Sequence, residues 1–348
     1  MRTTIRDIAL RTGLSVSTVS LVLNHKEHRI SEETCKRVFQ AAKELNYRPN
    51  QAAVSLITKR TNTLGLIIPD ITNVFFAEIA KGAQVRSQEL GYSLILCNTN
   101  DDPEKDVDYV NVLLDRGVDG ILLVTSVTSG KTSGEKCLEI LKYTDKPVVL
   151  VDREIFPGTS NSELPGVFSD NELGGYMATK HLLSLGHTKL GCITGPMGAQ
   201  SSKHRLFGHI RALQEAGLSF DPALVKEGNY HTESGFRLSG ELLDIGVTGI
   251  FACNDMMAYG VCRKAAERGI LIPTQLSVVG FDDLPFSEFV ETPLTSIKQP
   301  AYEMGEAAVE KMIGILANPD LPCESTTFQP ELVIRKSTVA PYMQKATN

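Results

Sequence analysis

Polar side chains follow several short apolar runs of this 348-residue chain, at the positions where parallel strands would end. These side chains belong to Asp101, Asp152, Arg153, Asp170, Asn171, Asn254 and Asp282. Ligands of open α/β sheets bind outside the carboxyl ends of the strands. Phe75, Phe76 and Tyr230 could stack on a ring, and Arg205 would supply a fixed fork of donors. Because each sugar hydroxyl both donates and accepts hydrogen bonds, this set predicts a site for a polyhydroxylated sugar.

Motifs of catalysis are incomplete in the sequence. The segment TSVTSGKT (125–132) follows the apolar run DGILLV and imitates a phosphate-binding loop, but Thr125 stands where that loop requires glycine. No GxGxxG follows a predicted strand, and GxSxG does not occur. Seven scattered cysteines, without a CxxC pair or a histidine at ligand spacing, predict reduced thiols in a cytoplasmic protein and no metal site. The sequence therefore favours a binding protein without a cofactor over a nucleotide-dependent enzyme.

The apolar runs, separated by amphipathic helices, predict an α/β fold. Near-continuous apolar segments are typical of parallel strands buried on both faces. They are LGLIIP, YSLILCN, DGILLV and PVVLVD, followed by KLGCITG, GIFACN and LSVVGFD. Two such arrays in series predict two Rossmann-like lobes with a ligand cleft between them. We expect lobe one to contain about residues 61–162 and 293–323, and lobe two about residues 163–292 and 324–348. Five glycines are predicted to end helices; they are Gly91, Gly117, Gly186, Gly246 and Gly269.

The first sixty residues differ from the rest of the chain in charge. They contain 11 lysines and arginines against 5 acidic residues, whereas the remaining 288 contain 24 against 36. A basic head on an acidic body predicts that the head meets a polyanion. No run approaches the length of a membrane span, and the N-terminus lacks the apolar stretch of a secretion signal.

The head has the pattern of three short helices. Thr3 or Thr4, Ser15 and Ser31 could cap them, and Gly13 would form the turn between the first two. The third helix is predicted to bury Val38, Phe39, Ala42 and Leu45. Two short helices joined by a glycine turn and braced by a third are typical of a helix-turn-helix unit, whose second helix enters the major groove of DNA.

Longer segments of the sequence resemble a known family. TIRDIALRTGLSVSTVSLVLN, SEETCKRVFQAAKELNYRPN and LGLIIPDITNVFFAEIAKG closely resemble the LacI/GalR family of bacterial transcription regulators. The resemblance continues through VDR, GHTKLGCITGP, IFACNDMMAYG, LSVVGFDD and TSIKQP, in order and over essentially the whole chain. It implies a helix-turn-helix domain at residues 1–49, a hinge at 50–60, and an effector-binding and dimerisation domain of periplasmic-binding-protein type at 61–348.

The resemblance assigns DNA contacts to the head. Val16, Ser17 and Leu21 match positions that read base edges, and Leu21 departs from the arginine of many relatives. A leucine cannot make the bidentate contact of arginine to guanine, but it can pack on a thymine methyl group. Positions that usually contact phosphates are matched by Ser15, Thr18, Ser20, Asn24, Ser31, Thr34, Tyr47 and Asn50.

The segment after the head resembles the hinge helix of the family, which folds on operator DNA. Composition alone favours a flexible linker, because two turns of helix are not stable in isolation. Leu56 matches the leucine that wedges between base steps in the minor groove. Val54 stands where relatives usually have arginine, which puts the contact of that arginine in doubt.

For the body, the resemblance implies a small effector. Arg205, Asn254 and Asp282 match the usual effector positions of the family. A larger set of residues resembles the pocket of periplasmic ribose-binding proteins. The set consists of Phe75, Phe76, Asp152, Arg153, Arg205, Asn254, Asp282 and Gln299. Ala199 stands where the purine repressor has an arginine, which argues against a purine. We therefore expect a monosaccharide such as ribose.

Together these features predict an allosteric repressor of a carbohydrate-uptake or catabolic operon. The expected partners are double-stranded, near-palindromic operator DNA, a sugar effector and a second copy of the chain. The C-terminal residues PYMQKATN lack leucine heptads, so a homodimer is expected rather than a tetramer. Two alternatives stay open: a carbon-catabolite regulator with a phosphocarrier protein as co-repressor, and a purine-responsive repressor. A periplasmic sugar-binding protein would share the body but would need a signal peptide and would lack the head.

Overall fold

The computed structural model describes residues 3–24, 30–47, 60–126, 144, 146–154, 164–320 and 324–341. The chain divides into two compact units, Met1–Thr61 and Asn62–Asn348. Of the hinge at 50–60, only Arg60 is described, so Asn50 and Leu56 lie outside the described residues. In the part of the chain that the structure covers, no helix is long and apolar enough to cross a bilayer.

The first unit contains three helices, α1 (Ile5–Thr12), α2 (Val16–Leu23) and α3 (Glu32–Glu44). The predicted caps are present: the Oγ of Ser15 accepts from the Thr18 amide at 3.0 Å, and the Oγ of Ser31 accepts from the Thr34 amide at 3.3 Å. At α1 the Thr4 amide donates to Asp7 at 2.7 Å. Gly13 ends α1 with a φ of 67°, as the tight turn requires.

A small apolar core holds these three helices together. Ile8, Val19, Val22 and Val38 are fully buried. The prediction that Phe39 is buried is wrong, because 39% of its surface is exposed. The buried stripe of α3 instead runs through Val38 and Ala41, and Phe39 lies on the neighbouring face.

The second unit is built on two sheets, each with six strands among the described residues. The first sheet has the order β11-β5-β4-β3-β1-β2, where β1 is Thr63–Ile68, β2 Ser93–Asn98, β3 Gly120–Leu123, β4 Val148–Val151, β5 Gly166–Ser169 and β11 Thr326–Phe328. The second has the order β12-β10-β9-β8-β6-β7, where β6 is Leu190–Thr194, β7 Val225–Glu227, β8 Gly249–Ala252, β9 Ser277–Asp282, β10 Thr295–Lys298 and β12 Glu331–Val333. All pairings are parallel except that of β10 with β12. Within each sheet the parallel strands therefore have their carboxyl ends on the same side.

Seven helices cover the two sheets in the described part of this unit. They are α4 (Val74–Glu89), α5 (Pro103–Asp115), α6 (Asn171–Ser184), α7 (Gln200–Glu215), α8 (Thr232–Ile245), α9 (Asp255–Glu267) and α10 (Ala301–Ala317). The predicted helix-ending glycines 91, 117, 186, 246 and 269 all have positive φ, which confirms the C-cap prediction. Strands β3, β4, β6, β8 and β9 are buried along their whole length, as the apolar runs predicted.

The predicted lobe boundaries need correction at three strands. Strands β5 and β11 belong to the first sheet although residues 163–292 and 324–348 were expected in lobe two. Strand β10 belongs to the second sheet although residues 293–323 were expected in lobe one. The chain therefore crosses between the lobes around residues 170, 299–300 and 329–330, each time directly after a short edge or near-edge strand. Helix α10 returns to the first lobe, as expected, and packs on α4.

Candidate functional site

A cavity of about 70 Å³ lies between the two lobes. It is lined by Asp70, Thr72, Asn73, Phe75, Phe76, Asp101, Asp152, Arg153, Ser201, Arg205, Tyr230, His231, Asn254, Met256 and Asp282. Nine of the twelve predicted effector residues are in this set. Both sheets contribute, so closure of the lobes would enclose a ligand.

Arg205 is held rigidly on α7 beneath the cavity. Its Nε donates to Asn171 Oδ1 at 2.7 Å and its Nη1 to the carbonyl of Cys253 at 2.5 Å. The guanidinium lies 3.7 Å from the ring centroid of Phe281, a cation–π contact. A side chain at Gly175 on α6 would clash with the Arg205 carbonyl, so this glycine lets the two helix backbones approach closely. The position of Arg205 is thus fixed by backbone packing as well as by hydrogen bonds.

Arg153 supplies the second guanidinium of the site. Its Nη1 donates to Asp101 Oδ1 at 2.9 Å and to the carbonyl of Thr125 at 2.8 Å. The guanidinium carbon lies 5.1 Å from the ring centroid of Phe76 and 5.9 Å from that of Tyr230. Arg153 is only 6% exposed, so its charge acts in a largely desolvated environment. Arg153 therefore connects Asp101, which follows β2, with the aromatic side chains of the cavity wall.

Two buried carboxyl groups face these arginines. Burial raises the pKa of Asp152, against the lowering effect of Arg153 and Arg205. Burial also raises the pKa of Asp282 to about 8, although Arg205 lowers it. The Oδ1 of Asp152 has no hydrogen-bond partner among the described atoms. An acceptor that is buried and unpaired in a cavity wall is a position for a ligand donor.

Four of the lining residues have a left-handed backbone. The φ angles are 54° at Asp101, 60° at Asp152, 66° at Tyr230 and 100° at Asp282. Positive φ is uncommon outside glycine, and such residues cluster at binding sites where the surrounding structure holds them. Asp152 and Asp282 occupy these conformations at the ends of β4 and β9, where the chain turns away from the sheet.

Tyr230 and Asn254 form a further connected part of the wall. The Tyr230 hydroxyl lies 2.6 Å from the Ser202 hydroxyl. Asn254 Nδ2 donates to the Tyr230 carbonyl at 2.9 Å, and Asn254 Oδ1 accepts from the Met257 amide at 2.9 Å. Asn254 therefore caps α9 and holds the Tyr230 turn at the same time.

Three predicted effector residues do not line the cavity. Asp170 caps α6 by accepting from the Leu173 amide at 2.9 Å. Asn171 binds Arg205, and Gln299 Nε2 donates to Asp282 Oδ1 at 2.8 Å, so both support wall residues from behind. Asp170 and Gln299 lie where the chain crosses between lobes. Asp170, directly after β5, faces the start of α6, and Gln299 lies behind Asp282.

Six lining residues were not predicted. They are Asp70, Thr72, Asn73, Ser201, His231 and Met256. Asp70 follows β1 as Asp101 follows β2, so the rule of polar residues after strands would have identified it. Ser201, His231 and Met256 lie near the starts of helices, and no pattern in the sequence distinguishes them.

The raised pKa of Asp282 predicts a pH dependence of stability. Between its ordinary value near 4 and about 8, the folded state keeps a proton that the unfolded state releases. The free energy of unfolding contributed by this group therefore falls as pH rises through that window. We expect the melting temperature of the unliganded protein to fall more steeply from pH 5 to pH 8 than that of Asp282→Asn. Calorimetry at closely spaced pH values measures both slopes, and parallel curves would contradict the assignment.

The head presents a short-chained face on α2. Val16 and Leu21 are 46% and 44% exposed, and Ser17 is also exposed. The predicted phosphate-contact residues Ser15 and Thr18 join their hydroxyls at 2.8 Å, and Asn24 Nδ2 donates to the Ser20 carbonyl at 2.8 Å. Ser31 is exposed, whereas Thr34 and Tyr47 are half-buried. The residues predicted to read bases are therefore accessible.

Comparison with known proteins covers both units of the chain. Residues 4–50 match "Bacterial regulatory proteins, lacI family", and residues 179–338 match "Periplasmic binding protein-like domain". The transcriptional regulator DegA of Bacillus subtilis is 37% identical, over 97% of this chain and 98% of that protein. The transcriptional repressor PurR of Aliivibrio fischeri (strain MJ11) is 36% identical, over 97% of this chain and 98% of that protein. A solved structure of a LacI family transcriptional regulator from Enterococcus faecium, with bound ribose, has a TM-score of 0.71 and 29% identity over 80% of this chain and 99% of that chain.

Proposed function

This chain belongs to the LacI family of bacterial regulatory proteins, and on that premise we propose that it represses a carbohydrate-uptake or catabolic operon under the control of a monosaccharide such as ribose. The sugar binds in the cavity between the lobes. Its binding releases a near-palindromic operator that α2 reads in the major groove. On this proposal the protein acts in the bacterial cytoplasm, where the operator DNA is located.

The observation that carries the effector proposal is the unpaired Oδ1 of Asp152 in a wall that also holds two guanidinium groups. A sugar hydroxyl can donate to this oxygen while it accepts from an arginine, and a ring of hydroxyls can do so at several points. Without partners of this kind, a buried carboxyl oxygen is destabilising.

The charges of the wall favour a neutral ligand. Asp70, Asp101, Asp152 and Asp282 face two arginines, each of which lies within 4 Å of an aspartate. No surplus of positive charge is left to balance a phosphate or a carboxylate. A free sugar therefore suits the cavity better than a sugar phosphate.

An apolar wall supports the same ligand class. Phe75 and Phe76 are each 4% exposed, and their ring centroids lie 5.3 Å apart in an edge-to-face arrangement. Such rings pack against the C–H face of a sugar while the polar groups bind its edge. The ribose in the Enterococcus faecium structure is consistent with this arrangement.

A purine is the second effector to consider, because PurR is 36% identical over nearly the whole chain. Ala199, which stands at the arginine position of the purine repressor, precedes α7 and does not line the cavity. The wall thus lacks that cation at the start of α7. This difference favours the sugar.

We also propose that the protein acts as a homodimer, because a two-fold dimer matches a near-palindromic operator. Phe286 and Phe289, which follow β9, are 61% and 79% exposed. Two large aromatic side chains this close together form an apolar surface that a second copy would cover.

Direct binding tests the effector. Isothermal titration with D-ribose, a panel of other monosaccharides, ribose 5-phosphate, guanine and hypoxanthine should give saturable binding for one or more free monosaccharides only. Tight binding of a nucleobase with no binding of any monosaccharide would contradict the proposal. Tighter binding of ribose 5-phosphate than of D-ribose would contradict only the inference that the charges of the wall favour a neutral ligand.

A further inference from the structure

A further buried carboxyl group lies behind the cavity wall, at the first residue of α9. Asp255 is fully buried. Its Oδ2 accepts from the Leu284 amide at 2.8 Å and from the Ser287 hydroxyl at 2.6 Å. Its Oδ1 accepts from the Ser296 hydroxyl at 2.6 Å. One side chain thus joins α9 to the segment after β9 and to β10.

The neighbouring strand leaves room for this carboxylate. A Cβ at Gly280 of β9 would clash with Asp255 Oδ1. The Ser287 hydroxyl, which donates to Asp255, also lies 2.7 Å from the Tyr259 hydroxyl on the second turn of α9. Asp255 is therefore enclosed by polar partners that α9, β10 and the segment after β9 supply.

The segment that Asp255 holds contains a left-handed turn. Asp282 and Asp283 have φ angles of 100° and 54°. The side chain of Asp282 lines the cavity, and Asp283 Oδ1 accepts from Arg335 Nη1 at 2.6 Å. Leu284, the next residue, is 3% exposed and packs in the apolar core of the first lobe. Residues 282–284 therefore connect the cavity wall, at Asp282, with a contact between the lobes, at Leu284.

The two neighbours of Asp255 also connect the wall with the other lobe. Asn254 and Met256 line the cavity. Met256 packs against the same first-lobe core as Leu284. Asp255 lies between these residues but does not reach the cavity, so any effect of it on the effector acts through them and through the turn.

We propose that Asp255 is a positioning residue that fastens the turn at residues 282–287, so that Asp282 faces the effector while Leu284 stays packed on the first lobe. Loss of the hydrogen bonds of Asp255 would destabilise both the cavity wall at Asp282 and the contact of Leu284 with the first lobe. The inference rests on the proposed effector site, but the state of the turn can be measured without any effector.

The test compares the wild-type chain with Asp255→Ala and Asp255→Asn by hydrogen exchange and by titration with D-ribose. Alanine leaves the Leu284 amide without its acceptor, so exchange in residues 283–288 should become about tenfold faster. The ribose Kd should rise by about tenfold or more. Asparagine keeps a carbonyl oxygen for the Leu284 amide and can turn its amide toward the Ser296 hydroxyl. It should restore both quantities to within about threefold of the wild type.

A matched pair of serines controls for general loss of stability. Ser296 and Ser277 are both fully buried on strands of the second sheet, but Ser277 bonds to His187 and to the Val339 carbonyl instead of Asp255. Ser296→Ala should speed exchange in residues 284–288 and weaken ribose binding, and Ser277→Ala should do neither. The Asp283 amide is left out of this comparison because it donates directly to Ser296 Oγ at 3.2 Å. If Asp255→Ala does not fold, the comparison of Ser296→Ala with Ser277→Ala still tests the positioning role of Asp255.

Unchanged exchange of residues 283–288 in Asp255→Ala would overturn the inference, as would equal effects of the two serine variants. If wild-type protein binds no ribose, the proposed effector fails, and the exchange result still decides the role of Asp255.

Discussion

Replacing Arg205 by alanine should reduce sugar affinity by about tenfold to a hundredfold, because a hydrogen bond from a charged donor contributes about 1.5–3 kcal/mol. The variant removes the donors to Asn171 and to the Cys253 carbonyl and leaves the nearby Asp282 without its cation. Operator binding should survive and become insensitive to sugar. Arg205→Lys should behave almost as alanine does, since a single ammonium cannot reproduce the guanidinium fork.

Titration calorimetry and operator binding by fluorescence anisotropy measure the two effects separately. Arg237→Ala is the control, because Arg237 pairs with Glu241 on the exposed side of α8 with 66% of its side chain accessible. It should leave sugar affinity within about twofold of the wild type, as expected of a surface ion pair. Sugar affinity that is unchanged in Arg205→Ala would remove this residue from the site.

Leu21→Arg should change which operator the protein selects. We expect leucine at this exposed position to pack on a thymine methyl group, whereas arginine would bind guanine through two hydrogen bonds. Each base-specific contact contributes about 1–3 kcal/mol, and a dimer would change it in both half-sites, so affinity for the original operator should fall by about thirtyfold or more. Selection from random DNA at fixed salt should recover guanine at the altered position.

Tyr47→Phe provides the comparison for Leu21→Arg. Tyr47 matches a phosphate-contact position, and contacts to phosphates carry no direct sequence information. Its substitution should weaken binding to all sequences alike and leave the selected base unchanged. An unchanged base preference in Leu21→Arg would mean that α2 does not read DNA at this residue.

Much of the architecture follows from local patterns. The strands β1–β4, β6, β8 and β9 were predicted from continuous apolar runs, although the edge strand β2 is only partly buried. The helix-ending glycines were predicted because glycine adopts a positive φ without strain. The short strands β5, β7, β10, β11 and β12 escaped prediction. A strand of three or four residues is too short to show a hydrophobic periodicity. The sheet that such a strand joins depends on the lobe that the chain enters at that point. The errors at the lobe boundaries have the same origin.

The candidate site was predictable to the extent that it lies at strand ends. Asp101, Asp152 and Asp282 follow strands and line the cavity, whereas Asp170 follows β5 and caps a helix instead. Both roles use an aspartate at a strand end or within three residues of it, so the sequence does not separate them. Asp255 was hidden for a related reason: its partners Leu284, Ser287 and Ser296 are 29 to 41 residues away along the chain.

We propose that the chain joins a DNA-reading surface of apolar side chains on α2 to a cavity suited to a neutral, hydroxylated ligand. The basic charge of the head attracts any DNA, and selectivity must come from side chains such as Val16 and Leu21. Control by the ligand requires that the sugar bind more tightly to the lobe arrangement that releases operator than to the one that holds it.

The most direct test is the operator affinity of the wild-type chain with and without D-ribose. The operator is first selected from random DNA, and the titration is followed by fluorescence anisotropy at constant salt. We expect saturating ribose to raise the operator Kd by about tenfold or more, within the coupling range of allosteric proteins. Affinity for a non-operator duplex should stay unchanged. An operator Kd that no monosaccharide alters, while guanine or hypoxanthine alters it, would contradict the account.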